Sequence, residues 1–330
     1  MRRITVIISC LFFAGTAMPQ EFEWLAGFDG FLDNREYYNE YQIPQTIFGS
    51  RLRAGIGGNL NGVHRLRAGF NTMYEFGSSR DDIVSSPVMY YQMDLQPNTF
   101  YMGAFPRRDL LDYPLALLND TLNYDRSNIE GMYLRREGDW GYEDVFIDWT
   151  SRQTDLKYER FMFGFSGRIN ISSLFISHHF LMGHFAAPGI PVPGFHLRDN
   201  GGFDISLGAD LSGRTILDTL VISLGSLVSL DRIRGVDDGW QTPAGILARA
   251  DLMYRIAGIR TTIHAGKGHT FLYGDSFYRA DFYTRIDMFL QFFNSENINA
   301  RVNFALHMVK GTLDTSQQVL VSFDLDGKRP

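Results

Sequence analysis

The strongest constraint on this chain is a two-residue alternation that outlasts an ordinary strand. In the segment 64–76, Leu66, Ala68, Phe70, Thr72, Tyr74 and Phe76 share one parity, and Arg65, Arg67, Gly69, Asn71, Met73 and Glu75 share the other. Between 280 and 292, Ala280, Phe282, Thr284, Ile286, Met288, Leu290 and Phe292 stand against Asp281, Tyr283, Arg285, Asp287, Phe289 and Gln291. The segment 298–308 repeats the pattern, with Ile298, Ala300, Val302, Phe304, Leu306 and Met308 against Asn299, Arg301, Asn303, Ala305 and His307. A helical period of 3.6 would spread these charges around the whole element, whereas a strand keeps them on one face. A globular strand runs about five or six residues, and a tilted strand crossing a bilayer needs about nine to eleven. Length and alternation together specify membrane strands, apolar toward lipid and polar toward a lumen.

Segments of this kind fall at 21–33, 46–58, 64–76, 87–94, 98–104, 128–136, 143–151, 157–168, 171–185, 202–212, 216–229, 243–255, 257–267, 280–293, 297–309 and 316–326. That gives about sixteen strands, an even number as single-chain bacterial barrels have. The segments 87–94, 98–104 and 128–136 carry the weakest alternation, so fourteen stays open. The expected fold is all-β, a transmembrane antiparallel up-and-down barrel. The connections support it independently. Those at 59–63, 96–97, 168–170, 212–215, 257–258 and 294–297 are short, and those at 34–45, 105–127, 186–201, 233–242 and 266–278 are long. Outer-membrane barrels have short periplasmic turns and longer outer loops, and a mature N-terminus in the periplasm puts every short connection on that side.

Composition agrees. The 330 residues include 27 Phe, 16 Tyr and 33 Gly, an enrichment that suits strands and turns. The formal net charge of −6 comes without a basic block, which sets nucleic acid aside as a partner. The N-terminus reads as a secretory signal peptide: basic Met1-Arg2-Arg3, an apolar run from Ile4 to Ala14, then small residues Gly15-Thr16-Ala17. The expected organisation is a signal peptide over 1–20, cleaved near 17–20, and one barrel domain over 21–330. The single cysteine, Cys10, lies in the apolar run and leaves with it, so disulfides and thiolate sites are not expected.

With the signal peptide, the alternating strands and the loop alternation in place, the chain resembles the porin-like outer-membrane barrels of Gram-negative bacteria over essentially its whole length. The resemblance is architectural and rests on no diagnostic motif. It implies a place in the outer membrane, contact with outer-membrane lipid and handling by the barrel-insertion machinery. Such barrels commonly end on an aromatic residue. Here the chain continues past Phe323 and Leu325 through Asp326-Gly327-Lys328-Arg329-Pro330.

Candidate functional residues follow from the polar parity. Arg51, Arg53, Arg65 and Arg67 would form one wall of a pore, and Asp204 and Asp210 the opposite wall half a turn away. Asp281, Arg285, Asp287 and Arg301 would line the remainder. Charges placed this way tune which ions pass. The 105–127 connection holds Arg107, Arg108, Asp109, Asp112 and Tyr113, and a loop of this length is usually functional; it is the candidate constriction. His178, His179 and His184 do not make a metal site, because neighbours on a strand point to opposite faces and His178 lies about 20 Å from His184. Ser172, Ser173 and Ser177 lie near these histidines, but no Gly-x-Ser-x-Gly turn or His-Glu-x-x-His helix is present. The expectation is therefore a non-enzymatic channel for small hydrophilic solutes, with no catalytic residue, metal or cofactor and with oligomeric state undetermined. The alternatives are a plugged barrel serving as scaffold or accessory subunit of an export or assembly system, and an outer-membrane hydrolase.

Overall fold

A computed structural model describes residues 21–79, 82–190 and 192–329; the expected signal peptide over 1–20 lies outside the described residues. The chain closes into a sixteen-stranded antiparallel barrel in which every strand pairs with its sequence neighbours and β1 pairs with β16. The strands are β1 (Glu21–Glu36), β2 (Gln45–Leu60), β3 (His64–Glu75), β4 (Val84–Leu95), β5 (Asn98–Pro106), β6 (Asn128–Gly138), β7 (Gly141–Ser151) and β8 (Glu159–Ile171). They continue with β9 (Leu174–Ala186), β10 (Arg198–Asp210), β11 (Thr219–Ile233), β12 (Ala244–Tyr254), β13 (Ala257–Gly266), β14 (Phe282–Asn294), β15 (Ile298–Val309) and β16 (Thr312–Arg329). All three weakly alternating segments are strands, so the count is sixteen. The segment after Leu325 also pairs, running to Arg329 opposite Phe22.

Alternation sets the two faces. On β7, Asp144, Phe146 and Asp148 are buried inside while Val145 and Trp149 are exposed outside. One end of the barrel carries the short turns and the other the long loops; these are the turn end and the loop end below.

The loop end is filled. The β5–β6 connection holds Ala116, Leu117 and Leu118, too apolar to lie in water, and folds into the lumen. The β13–β14 connection joins it. Asn119 N–H donates to the Tyr273 carbonyl at 2.7 Å and Asp275 N–H to the Leu115 carbonyl at 2.8 Å. Gly274 is required here, since a Cβ would sit 1.8 Å from the Ala116 carbonyl oxygen. Phe277 from the second loop stacks on Tyr283 and on His307 of the wall, at ring separations of 5.0 and 4.7 Å. The result is an ordinary packed core inside the barrel. Toward the turn end the lumen opens into a chamber of about 870 Å³.

Candidate functional site

The two inward loops are held by specific polar anchors. Arg107 is buried against the fully buried carboxylate of Asp148, and its Nε donates to the Arg126 carbonyl at 3.0 Å. Arg108 reaches Asp29 at 3.1 Å and Asp324 at 3.3 Å. Tyr113 donates to the Phe180 carbonyl at 3.1 Å, and burial pushes its phenol up. Asp109 and Asp112 both line the chamber, Asp109 exposed and 3.4 Å from Arg108 Nε. Asn200 on β10 grips the second loop, donating to the Thr270 carbonyl and accepting from Leu272 N–H, both at 2.8 Å. Burial lowers His269 on that loop to about 4 and raises the Asp275 carboxyl.

The other sequence-derived positions lie on the inner face, except Asp281, which precedes β14 and is exposed, and nearly all have close partners. Arg53 contacts Asp29 at 3.1 Å and Asp324 at 2.8 Å. Arg65 pairs with Asp94 at 2.5 Å, Arg67 with Glu23 at 2.9 Å, and Arg51 donates to the Tyr124 carbonyl at 2.7 Å. Asp204 is met by His179 at 3.1 Å and Arg249 at 2.9 Å, and Asp210 by Arg168 at 3.0 Å. Arg285 pairs with Asp287 at 2.8 Å, Asp281 accepts from Gly268 N–H at 3.1 Å, and Arg301 lies over the Phe289 ring at 3.9 Å. Opposite charges sit on the same strand or within two strands of each other rather than facing each other across open water.

The residues best arranged for chemistry lie on the outer wall; of them the sequence had singled out only His184, and only as a metal ligand that strand geometry set aside. Trp149, Phe161, His184, Asp199 and Arg232 are successive register partners on β7, β8, β9, β10 and β11. They form one outward row at the loop end. The Trp149 and Phe161 rings stack at 4.8 Å and the Phe161 and His184 rings at 4.9 Å. His184 Nδ1 is 2.7 Å from Asp199 Oδ1, and Arg234 donates to Asp199 Oδ2 at 2.7 Å. With Nδ1–H donated to the carboxylate, the lone pair of His184 falls on Nε2, the protonation pattern of an oriented general base. Arg232 has no acidic partner among the described residues, because its register neighbour Asp199 is already engaged by His184 and Arg234. The usual signal for such a site is a local motif. Here the acid and base are fifteen positions apart and meet only through strand pairing.

Exposed His64 contacts the Tyr91 hydroxyl at 2.7 Å through Nδ1, and two buried histidines also contact hydroxyls. His307 Nε2 lies 3.2 Å from Ser316 Oγ and its Nδ1 2.7 Å from the Tyr283 hydroxyl, and His269 Nδ1 lies 3.1 Å from Ser229 Oγ. All five groups are essentially buried under the inward loops, with no path for a substrate. Among the described residues no cluster of histidine, cysteine and acidic side chains is arranged to hold a metal ion.

Comparison with known proteins gives the fold and the family separately. Solved barrels align over nearly their full length at low identity. The loop L8 deletion mutant of OmpT, an outer-membrane protein of Vibrio cholerae, matches with a TM-score of 0.57 at 10% identity, covering 92% of this chain and 99% of that one. A mutant Rhodopseudomonas blastica porin gives 0.53 at 12%, covering 92% and 100%, and Acinetobacter baumannii OccAB4 gives 0.51 at 9%, covering 94% and 99%. No curated protein matches. The family described as Lipid A 3'-O-deacylase-type matches residues 26–326. The architecture is thus that of a porin-like outer-membrane barrel, while the expectation of a non-enzyme is overturned, because the matching family is one of hydrolases.

Proposed function

This chain belongs to the lipid A 3'-O-deacylase-type family, and we propose that it hydrolyses an acyl ester of an outer-leaflet glycolipid on its outer wall, with His184 as general base. The observation that carries this reading is the outward His184–Asp199 pair at the loop end. An acylated sugar keeps its chains in the hydrocarbon and its sugars at the interface, so its ester bonds meet the barrel from outside, at the level of the rim. The filled loop end of the lumen weighs against a freely conducting pore and leaves the outer wall as the surface an outer-leaflet lipid meets.

In this mechanism the acyl chain lies along the Trp149–Phe161 surface, which presents His184 Nε2 to a water beside the ester carbonyl. His184 takes the proton as the water oxygen bonds to the acyl carbon. Asp199 holds the ring in the correct tautomer and stabilises the imidazolium, and Arg234 holds Asp199. Arg232, two strands along the row from His184, faces the oxyanion of the tetrahedral intermediate; donors aimed at developing charge supply a large share of catalysis. Collapse breaks the bond to the sugar oxygen, which receives the proton from His184. The products are a fatty acid and a sugar hydroxyl, so the reaction balances with water alone.

The test is mass spectrometry of lipid A after incubating lipopolysaccharide vesicles with reconstituted protein. Loss of one acyl chain with wild type, and none with His184→Gln at unchanged heat-modifiability, is expected. Wild-type protein that removes no acyl chain, or a His184→Gln variant with full activity, would overturn the assignment.

A further inference from the structure

Below the rim row, the same outer sector carries a second polar row where lipid should lie. Arg136 on β6 and Glu143 on β7 are direct register partners; Glu143, Gly167 and His178 continue the row on β8 and β9. The buried interior positions Tyr133, Asp144 and His179 on these strands fix Arg136, Glu143 and His178 as outward. His178 is six residues from His184 on one face of β9, about 20 Å along the strand and less in depth once the strand is tilted. Apolar side chains flank the row on both sides: Val145 and Phe165 toward the loop end, Ile171 and Leu174 toward the turn end, all exposed. The apolar band of such a barrel is about 25 Å tall, so with the rim row at its outer edge the lower row lies inside it. Ionisable groups at that depth call for a partner.

The internal pairing leaves that partner's place open. Glu143 does not engage its register neighbour Arg136. Its side chain turns the other way, across Gly167, and its Oε2 meets His178 Nε2 at 3.0 Å. Gly167 makes this possible, since a Cβ there would come within 2.5 Å of the Glu143 carboxyl carbon. Glu143 Oε1 and the Arg136 guanidinium are therefore both without a partner among the described residues, one strand apart on the same outward row.

We infer that this wall is a self-complementary interface between two copies of the chain in the membrane. A two-fold axis along the membrane normal keeps every residue at its own depth and makes the contact reciprocal. Arg136 of each copy then meets Glu143 of the other, giving two identical ion pairs within apolar surroundings. His178 fixes each carboxylate so that Oε1 faces the partner. A cation and an anion side by side in one row match their own two-fold image, which is the complementarity that selects a second copy over a singly charged ligand.

The experiment is sedimentation of the full chain in detergent, with heat-modifiable migration as the folding readout. Wild type is expected at the mass of two chains. Glu143→Arg alone and Arg136→Glu alone are each expected at the mass of one, because each places like charges opposite each other. An equimolar mixture of the two variants is expected to recover the two-chain mass, because both pairs are attractive in the mixed species. Should a reversal fail to fold, Glu143→Gln and Arg136→Gln take its place, each expected to weaken association at least tenfold. A one-chain wild type, single variants that stay paired, or a mixture that does not recover would overturn the inference. So would a one-chain wild type carrying a stoichiometric phospholipid, which would assign the row to a lipid headgroup.

Discussion

His184 and His179 lie five residues apart on β9, each bonded to an aspartate of β10, and they face opposite sides of the wall. The inner pair, His179–Asp204, is enclosed with Arg249 and Ser206, and its His179 lines the chamber beneath the inward loops. The outer pair, His184–Asp199, stands at the rim beside a two-ring aromatic surface and an arginine with no acid of its own. The side-chain chemistry is nearly identical, and the alternation of the strand decides which pair a lipid can reach. A histidine–carboxylate pair thus becomes a candidate catalytic group only with a route for substrate; otherwise it is one more satisfied polar contact.

The two histidines should differ most in catalysis itself. His184→Gln is expected to lower kcat for deacylation by about 10²–10⁴-fold, the usual contribution of a general base, while His179→Gln leaves it near wild type. Both are read from fatty-acid release on lipopolysaccharide vesicles, and a reversed order would move the site into the lumen. Arg232→Ala is expected to cost about 10²–10³ in kcat with little change in KM, as for removal of an oxyanion donor. A rise in KM alone would make Arg232 a headgroup contact instead.

The inner side of the comparison is tested through the loops. Asp148→Asn leaves the buried Arg107 guanidinium without its counter-charge, a loss of about 3–5 kcal/mol for a buried pair. Trypsin is expected to cut the 107–127 loop faster, and steady conductance is expected to appear in planar bilayers, with deacylation little altered. Acid gives a smaller effect. His269 is held neutral down to about pH 4, while the same residue in the unfolded chain protonates near its ordinary value of 6.5. Its contribution is complete above about 6.5 and is lost as pH falls toward 4. Asp275, raised by burial, works in the opposite direction. Loop protection from proteolysis should therefore fall across that window in wild type, and fall less in His269→Gln.

Much of the fold was legible because a barrel writes itself locally. Strand length, period two and alternating loop length are properties of consecutive residues, and together they gave sixteen strands, including the segments near 87, 98 and 128 where the alternation is weak. The inward loop at 105–127 was flagged by its length, although the way its apolar residues pack with the partner loop at 267–281 was not, because that loop's apolar residues are scattered between glycines and polar groups. Parity also points the strand-borne charges inward, although Asp281 precedes β14 and is exposed. The site was not legible. Trp149, Phe161, His184, Asp199 and Arg232 are spread over eighty-odd residues, and none stands beside another in sequence.

The sequence by itself determined the class of structure: a closed antiparallel barrel with a polar inside, an apolar outside and unequal ends. Those features follow from the free energy of placing each residue in lipid or water, a decision taken position by position. Which His meets which carboxylate was decided only by the tertiary structure, through strand register. A shift of one residue in the pairing of β9 with β10 would carry Asp199 to the other face and dissolve the row. Register is set by the whole closed barrel, which no local stretch of the chain contains.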